Sequence, residues 1–108
     1  MIAVIFEVTP KKGSANRYFQ LAEQLRNTLK GFDGFISIER FQSLVNDEKY
    51  LSLSFWRDQK SVEKWYSLEK HRAAQREGRN SLFNDYRIRV GKIIRDYDMT
   101  VGRQSAAQ

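Results

Sequence analysis

The stretch Tyr50-Leu51-Ser52-Leu53-Ser54-Phe55-Trp56 alternates between two sets of side chains. Leucine or phenylalanine occupies positions 51, 53 and 55, while two serines flanked by Tyr50 and Trp56 occupy the positions between them. A period of two residues is typical of a β-strand, because successive side chains of a strand point to opposite faces of a sheet. We therefore predict a strand here, with one fully apolar face.

Two more strands are predicted before this one. Residues 2–8 are rich in β-branched and aromatic side chains and end at Thr9-Pro10. Because this run is apolar on both faces, with Glu7 as its one charged member, we expect a strand that is covered on both sides. Residues 35–44 alternate again, and a polar turn at 45–48 joins them to residues 50–56 in a predicted hairpin.

Two segments carry a helical period instead. Ser14 is a plausible N-cap and Gly31 a plausible C-cap for a helix over residues 16–30. Asp58 is expected to cap a second helical region that runs to about residue 78, with a break near residues 67–69. A linking stretch follows at 80–85, and then a last strand at 86–97. The apolar stripes of the two helices are Tyr18, Leu21, Ala22, Leu25 and Leu29 in the first, and Val62, Trp65 and Tyr66 in the second.

The resulting order, β–α–β–β–α–β, predicts an α+β fold of the ferredoxin-like class with one antiparallel sheet. Its helices cover one face of the sheet, so the apolar residues of the other face need a partner. Seven Phe, five Tyr and two Trp in 108 residues also exceed what one protomer needs, and both observations predict a homodimer. We expect one domain over residues 1–98 and a disordered tail over residues 99–108, which have no apolar pattern.

Composition narrows the function classes. The absence of cysteine excludes disulfides and cysteine-based metal sites. The first eight residues do not resemble a signal peptide or a membrane span, so we expect a cytoplasmic protein with no membrane partner. The net charge is +6, but its lysines and arginines are spread along the chain among acidic residues. This pattern predicts no nucleic-acid partner; it favours attraction of an anionic small molecule, or solubility alone.

Several short motifs resemble those of the antibiotic biosynthesis monooxygenase (ABM) family. These motifs are Leu-Ser-Phe-Trp-Arg-Asp at 53–58, Ser-Val at 61–62, Trp65, His-Arg-Ala-Ala-Gln at 71–75, Gly-Arg at 78–79 and Tyr-Arg-Ile-Arg-Val at 86–90. The resemblance implies a dimeric α+β barrel, with a pocket in each protomer between its sheet and its helices. Some family members oxidise polycyclic phenols or quinols with O₂ and no cofactor.

One branch of that family binds and degrades haem. It uses an Asn on the first strand, a Trp on the second helical region and a His further along that region. Here Trp65 matches, but the Asn position holds Glu7 and the His position holds Gln75, while the one histidine, His71, falls earlier. The resemblance therefore implies no haem, and no cluster in the sequence has the spacing of metal ligands. We expect neither a cofactor nor a metal.

Two residues are candidates for catalysis. His71 could act as a general base towards a phenolic proton, since an imidazole titrates near neutrality. The alternative is a surface histidine in a basic stretch. Glu7 could serve as an acid or base with a raised pKa if the pocket around it is apolar. The alternative is that Glu7 pairs with one of the arginines.

Four residues are candidates for substrate binding. Trp65 could form an aromatic wall for a flat substrate; the alternative is core packing, and the two roles are compatible. Gln75 and Arg79 share a helical face with His71, because they follow it at intervals of four residues. Tyr86 could donate its hydroxyl to a substrate oxygen. The pocket is expected between the sheet and the second helical region, and His71 can join it only if the helix breaks near residues 67–69.

Together these observations favour a cofactor-independent monooxygenase that oxidises a small electron-rich aromatic, such as a phenol, a quinol or a polyketide-like substrate, with O₂. The alternative is a non-catalytic dimeric module of the same fold that binds a small ligand.

Overall fold

The computed structural model describes residues 1–68 and 82–100. In chain order, its elements are β1 (Ile2–Pro10), α1 (Ala15–Leu29), β2 (Phe35–Gln42), β3 (Tyr50–Trp56), α2 (Gln59–Tyr66) and β4 (Phe83–Lys92). The strands form one antiparallel sheet in the order β2-β3-β1-β4. The predicted α+β fold with ferredoxin-like element order is therefore confirmed.

The last strand lies earlier in the chain than the predicted span 86–97. It begins at Phe83, inside the segment interpreted as a linker, because Phe83 pairs with Pro10 of β1 across a register shift. It ends at Lys92 because Ile2, the first residue of β1, is the last partner in the register. One more backbone bond follows, in which the Ile93 amide donates to the Met1 carbonyl at 2.9 Å.

The three predicted caps all lie at or directly next to a helix end. Gly31 follows α1 with a φ of 78°, the left-handed conformation that ends many helices. Asp58 caps α2, since its carboxylate accepts from the Ser61 amide at 2.9 Å. Ser14 precedes α1 but its side chain makes no capping hydrogen bond. α2 ends at Tyr66 with Ser67 as its C-cap, next to the break predicted near residues 67–69. The predicted continuation of this helical region to about residue 78 lies outside the described residues.

An ion-pair cluster fixes the start of α2 against the turn before β2. Arg57 binds both carboxylate oxygens of Asp33, at 2.9 and 3.1 Å, and reaches Asp58 at 3.2 Å. Gly34 in that turn has a φ of 89° and lies against Ser61, so a side chain on residue 34 would collide with the Ser61 hydroxyl. This contact sets how closely α2 approaches the sheet.

The hydrophobic core lies between the sheet and the two helices. Its most deeply buried members include Leu29 of α1, Trp56 of β3, and Val62 and Trp65 of α2. Neither α1 nor α2 has the length and apolar content that a bilayer crossing requires, and no other helix of the described residues does. Residues 101–108 of the predicted tail lie outside the described residues, so the division at residue 98 stays a prediction.

The register of the sheet assigns each strand residue to one of two faces. On the helix face, Phe6 pairs with Ser52 and Val4 pairs with Ser54. The opposite side we call the open face, because neither α1 nor α2 covers it. The open face carries Ala3, Ile5 and Glu7 of β1, Leu51, Leu53 and Phe55 of β3, and Arg87 and Arg89 of β4.

Candidate active site

A cavity of about 390 Å³ lies between the helix face of the sheet and both helices. Such a volume is within the usual range of small-molecule sites. The predicted stripes of both helices line it: Tyr18, Leu21, Ala22, Leu25 and Leu29 from α1, and Val62, Trp65 and Tyr66 from α2. The cavity thus has three walls, formed by α1, α2 and the sheet, and the helical period of the sequence predicts the residues that line the first two.

Tryptophan side chains form one end of the cavity. The rings of Trp56 and Trp65 are 6.2 Å apart, and Phe32 meets Trp65 edge-on at 5.4 Å. The Trp56 indole Nε1 donates to the Ser54 hydroxyl at 2.9 Å, and both residues are buried. This hydrogen bond gives the buried indole N–H an acceptor and fixes the orientation of the Trp56 ring in the cavity wall.

Another part of the cavity wall is formed by Tyr18, Arg40 and Ser52. Tyr18 of α1 is 5% exposed, and the Arg40 guanidinium carbon lies 5.6 Å from the centre of its ring. The same guanidinium lies 5.2 Å from the Phe19 ring centre. Arg40 pairs across the strands with Ser52, and both residues line the cavity. A cation and a hydroxyl therefore lie side by side on this wall.

Two tyrosines of the cavity stay protonated at neutral pH. Burial raises the pKa of Tyr18, and the neighbouring Arg40 guanidinium offsets part of that rise. Burial also raises the pKa of Tyr66. Both phenols are therefore hydrogen-bond donors rather than bases towards a bound molecule.

The predicted site residues fall into three groups. Trp65 lines the cavity and is 4% exposed. Tyr86 does not line it: its ring packs against Phe6 at 5.9 Å and Phe83 at 5.8 Å, on the helix face of the sheet. His71, Gln75 and Arg79 lie outside the described residues, so their predicted roles remain predictions.

Glu7 lies on the open face, away from the cavity. Its carboxylate accepts from Arg89 at 2.7 Å and pairs with Lys49 at 3.6 Å. The hydrogen bond from Arg89 and the charge of Lys49 lower the pKa of Glu7. The condition for a raised pKa, an apolar pocket around Glu7, is not met, because its neighbours are the cations Arg89 and Lys49. The alternative prediction, an arginine partner, is the one that the structure contains.

Sequence reasoning missed the polar wall. Arg40, Ser52 and Ser54 all line the cavity, and none was a candidate. The alternation of β3 did place the two serines on the same face as Trp56, which is the available signal. Nothing in that alternation tells which face the helices cover. Within residues 1–68 and 82–100, no three Asp, Glu or His side chains are grouped as ligands for a metal ion.

The fold and the cavity define a class: a ferredoxin-like α+β domain with an aromatic-walled cavity between its sheet and helices. The family model for antibiotic biosynthesis monooxygenases matches residues 1–77. A protein of Pyricularia oryzae named jasmonate monooxygenase ABM is 43% identical over 93 residues, an alignment that covers 86% of this chain and 43% of that protein. The chain therefore belongs to the antibiotic biosynthesis monooxygenase family, and it spans less than half of that relative's length.

Solved structures share the fold at low sequence identity. A Deinococcus radiodurans protein assigned to the same family superposes with a TM-score of 0.82 at 13% identity, covering 93% of this chain and 99% of that one. SnoaB, a cofactor-independent oxygenase from Streptomyces nogalater, gives a TM-score of 0.76 at 9% identity, covering 88% and 94%. Similarity at these identities shows the common fold.

Proposed function

We propose that this chain is a monooxygenase that oxidises a small electron-rich aromatic molecule with O₂ and without a cofactor. The observation that carries the proposal is the cavity of about 390 Å³ with aromatic and aliphatic walls, in a chain of the ABM family. Such walls exclude water from a reactive carbanion or radical pair. The cofactor-independent oxygenase SnoaB, which has the same fold, supports the absence of a cofactor.

The reaction balances without an added reductant. With an anthrone, whose methylene is activated by the neighbouring rings and carbonyl, a base removes a proton from that methylene, and the resulting anion passes one electron to O₂. The radical and superoxide combine into a peroxide, which loses water to leave a carbonyl. One oxygen atom enters the product as the carbonyl oxygen, and the other leaves as water. The two protons of that water, and the electrons that reduce its oxygen, come from the methylene group of the substrate, so no other reductant is needed.

We assign the base to His71, with Gln75 and Arg79 as substrate-binding residues and Trp65 as a wall of the pocket. The end of α2 at Tyr66 supports this assignment. On an unbroken helix, His71 would be rotated by about 240° from Trp65. Tyr18 and Tyr66 are unsuited to the role of base, because burial raises the pKa of each.

We also propose that the protein functions as a homodimer whose two open faces pack together. Ile5, Leu51, Leu53 and Phe55 are only half-buried within one protomer, although all four are large and apolar. Charged pairs around Glu7 lie at the border of this apolar centre. An apolar centre with a polar rim is the usual organisation of a protein–protein interface.

Oxygen consumption tests the catalytic proposal. Purified protein is offered quinols, anthrones and jasmonate, the last because of the name of the Pyricularia relative. We expect uptake of one O₂ per molecule of at least one substrate, with one ¹⁸O atom in the product, and a drop of about 10²–10⁴-fold in His71→Ala. Binding of these molecules without oxygen uptake would favour the alternative, a non-catalytic ligand-binding module.

A further inference from the structure

We infer that the cavity selects a carboxylate: Arg40 and Ser52 form an anion-binding end, and the tryptophans form an apolar end for the body of the same molecule. This inference deepens the proposed function, since it rests on the cavity being the place where the substrate binds. It adds a charge requirement that the shape of the cavity alone does not impose.

The Arg40 guanidinium is available to a ligand. Within the described part of the chain, no carboxylate lies within ion-pair distance of it, although Glu23 and Glu39 also line the cavity. Its contacts are the rings of Tyr18 and Phe19, together with an interaction with the Tyr18 hydroxyl that leaves its other N–H donors available. A guanidinium held over aromatic faces keeps its N–H donors for a planar acceptor, and a carboxylate matches their geometry.

Ser52 adds a second donor at the same end. It lies directly opposite Arg40 on the neighbouring strand, and such cross-strand pairs have Cβ atoms about 4.5–5.5 Å apart. Its hydroxyl makes no hydrogen bond with any residue of the described ranges. A carboxylate between the two side chains would accept from both, and the protonated Tyr18 hydroxyl is a third donor nearby.

The opposite end of the cavity is built mainly from buried apolar side chains, although Arg26 in the last turn of α1 also lines the cavity. Trp56, Trp65, Val62 and Leu29 are each at most 4% exposed there. The indole of Trp56 is already satisfied by Ser54. The molecule that fits both ends is thus a small aromatic acid, with its ring at the tryptophan end and its carboxylate at Arg40.

Matched neutral and anionic probes test this. Phenylbutanoate and phenylbutanamide have nearly the same shape, and their binding is followed by the fluorescence of Trp56 and Trp65, the two tryptophans of the chain. We expect the wild-type protein to bind the carboxylate about tenfold or more tightly than the amide, as for a charge-assisted hydrogen bond. Added salt should weaken binding of the carboxylate only.

Variants assign the preference to Arg40. Arg40→Gln should bind both probes alike, with an affinity for the amide close to that of the wild type. Arg40→Lys keeps the positive charge and serves as a second variant in case Arg40→Gln folds poorly. It should retain part of the preference for the carboxylate. The control Arg95→Gln makes the same change in net charge at an exposed residue after β4, and it should behave as the wild type.

The remaining outcomes overturn the inference in different ways. Equal binding of both probes by the wild type would remove the charge requirement and leave the cavity as a ligand site. A preference that survives in Arg40→Gln would remove Arg40 from the site. Binding of neither probe would overturn both the inference and the use of this cavity for substrate, whereas a carboxylate preference without oxygen uptake would overturn only the catalytic proposal.

Discussion

The two faces of the sheet differ in a way that β3 makes plain. Towards its own helices this strand presents Ser52, Ser54 and Trp56, and towards the open face it presents Leu51, Leu53 and Phe55. The more apolar side of the strand therefore points away from the core of its own protomer. In the proposed homodimer the partner protomer would cover this apolar side, whereas the serines on the helix face border the cavity.

Among the substitutions considered, one on the open face is expected to have the largest effect, which is the loss of the proposed dimer. Leu53 pairs with Ile5 of β1 and Glu39 of β2, so it lies in the middle of this surface. Leu53→Asp would place an unpaired charge inside the proposed interface, where its desolvation has no compensation. We expect sedimentation to give twice 12.8 kDa for the wild type and 12.8 kDa for the variant.

The control for this change is Leu44→Asp. Leu44 lies in the turn between β2 and β3 and is fully exposed. The same substitution there should leave the sedimenting mass unchanged. A wild-type protein that sediments as a monomer would contradict the homodimer and leave the apolar side of β3 without an explanation.

Neighbouring residues on opposite faces sharpen the comparison. Trp56 is 2% exposed in the core, so Trp56→Ala should destabilise the protomer by about 3–5 kcal/mol at any protein concentration. Phe55→Ala, one residue earlier, should instead weaken association, so that its effect on the denaturation midpoint grows as the protein is diluted. Chemical denaturation at two protein concentrations checks both. If dilution changed the denaturation midpoint of both variants by the same amount, the assignment of Trp56 to the protomer core and Phe55 to the dimer interface would be contradicted.

Local patterns were sufficient to predict most of the fold. The period of α1, the alternation of β3 and the cap at Asp58 are all encoded by residues near one another in sequence. The start of β4 at Phe83 was not predictable in this way, because it depends on pairing with Pro10, more than seventy residues away in the chain.

The site was predicted less completely for the same reason. Trp65 was found because its helical stripe must face a sheet. Arg40 was missed because a cation on an alternating strand is ordinarily solvated, and only the register with Ser52 and the approach of Tyr18 make it a cavity residue. The direction of the Glu7 side chain likewise depends on which face the helices cover.

A smaller, pH-dependent effect is expected at the start of α2. Hydrogen bonds from the Ser61 hydroxyl and amide, and then from Arg57, lower the pKa of Asp58 from 3.8 to about 2. A lowered pKa stabilises the folded state fully above 3.8, and this contribution is lost as the pH falls towards 2. Asp58→Asn keeps a capping side chain but cannot ionise. The wild type should therefore melt above the variant at neutral pH and converge with it near pH 2, and a difference that is constant with pH would contradict the ionic contribution.

The smallest effect is expected from Glu7→Gln, which tests the rim of the open face. Arg89 and Lys49 lower the pKa of Glu7 below its ordinary 4.5, so its contribution is complete above 4.5 and is lost as the pH falls through the lower folded value. It should be smaller than that of Asp58, because exposed ion pairs are screened by solvent and Glu7 caps no helix. Thermal melts of wild type and variant across this pH range, at low and high salt, should show a small difference that shrinks as salt is added. A large difference that salt leaves unchanged would show that the partner protomer covers Glu7 and Arg89, and the interface would then extend past the leucines to include this ion pair.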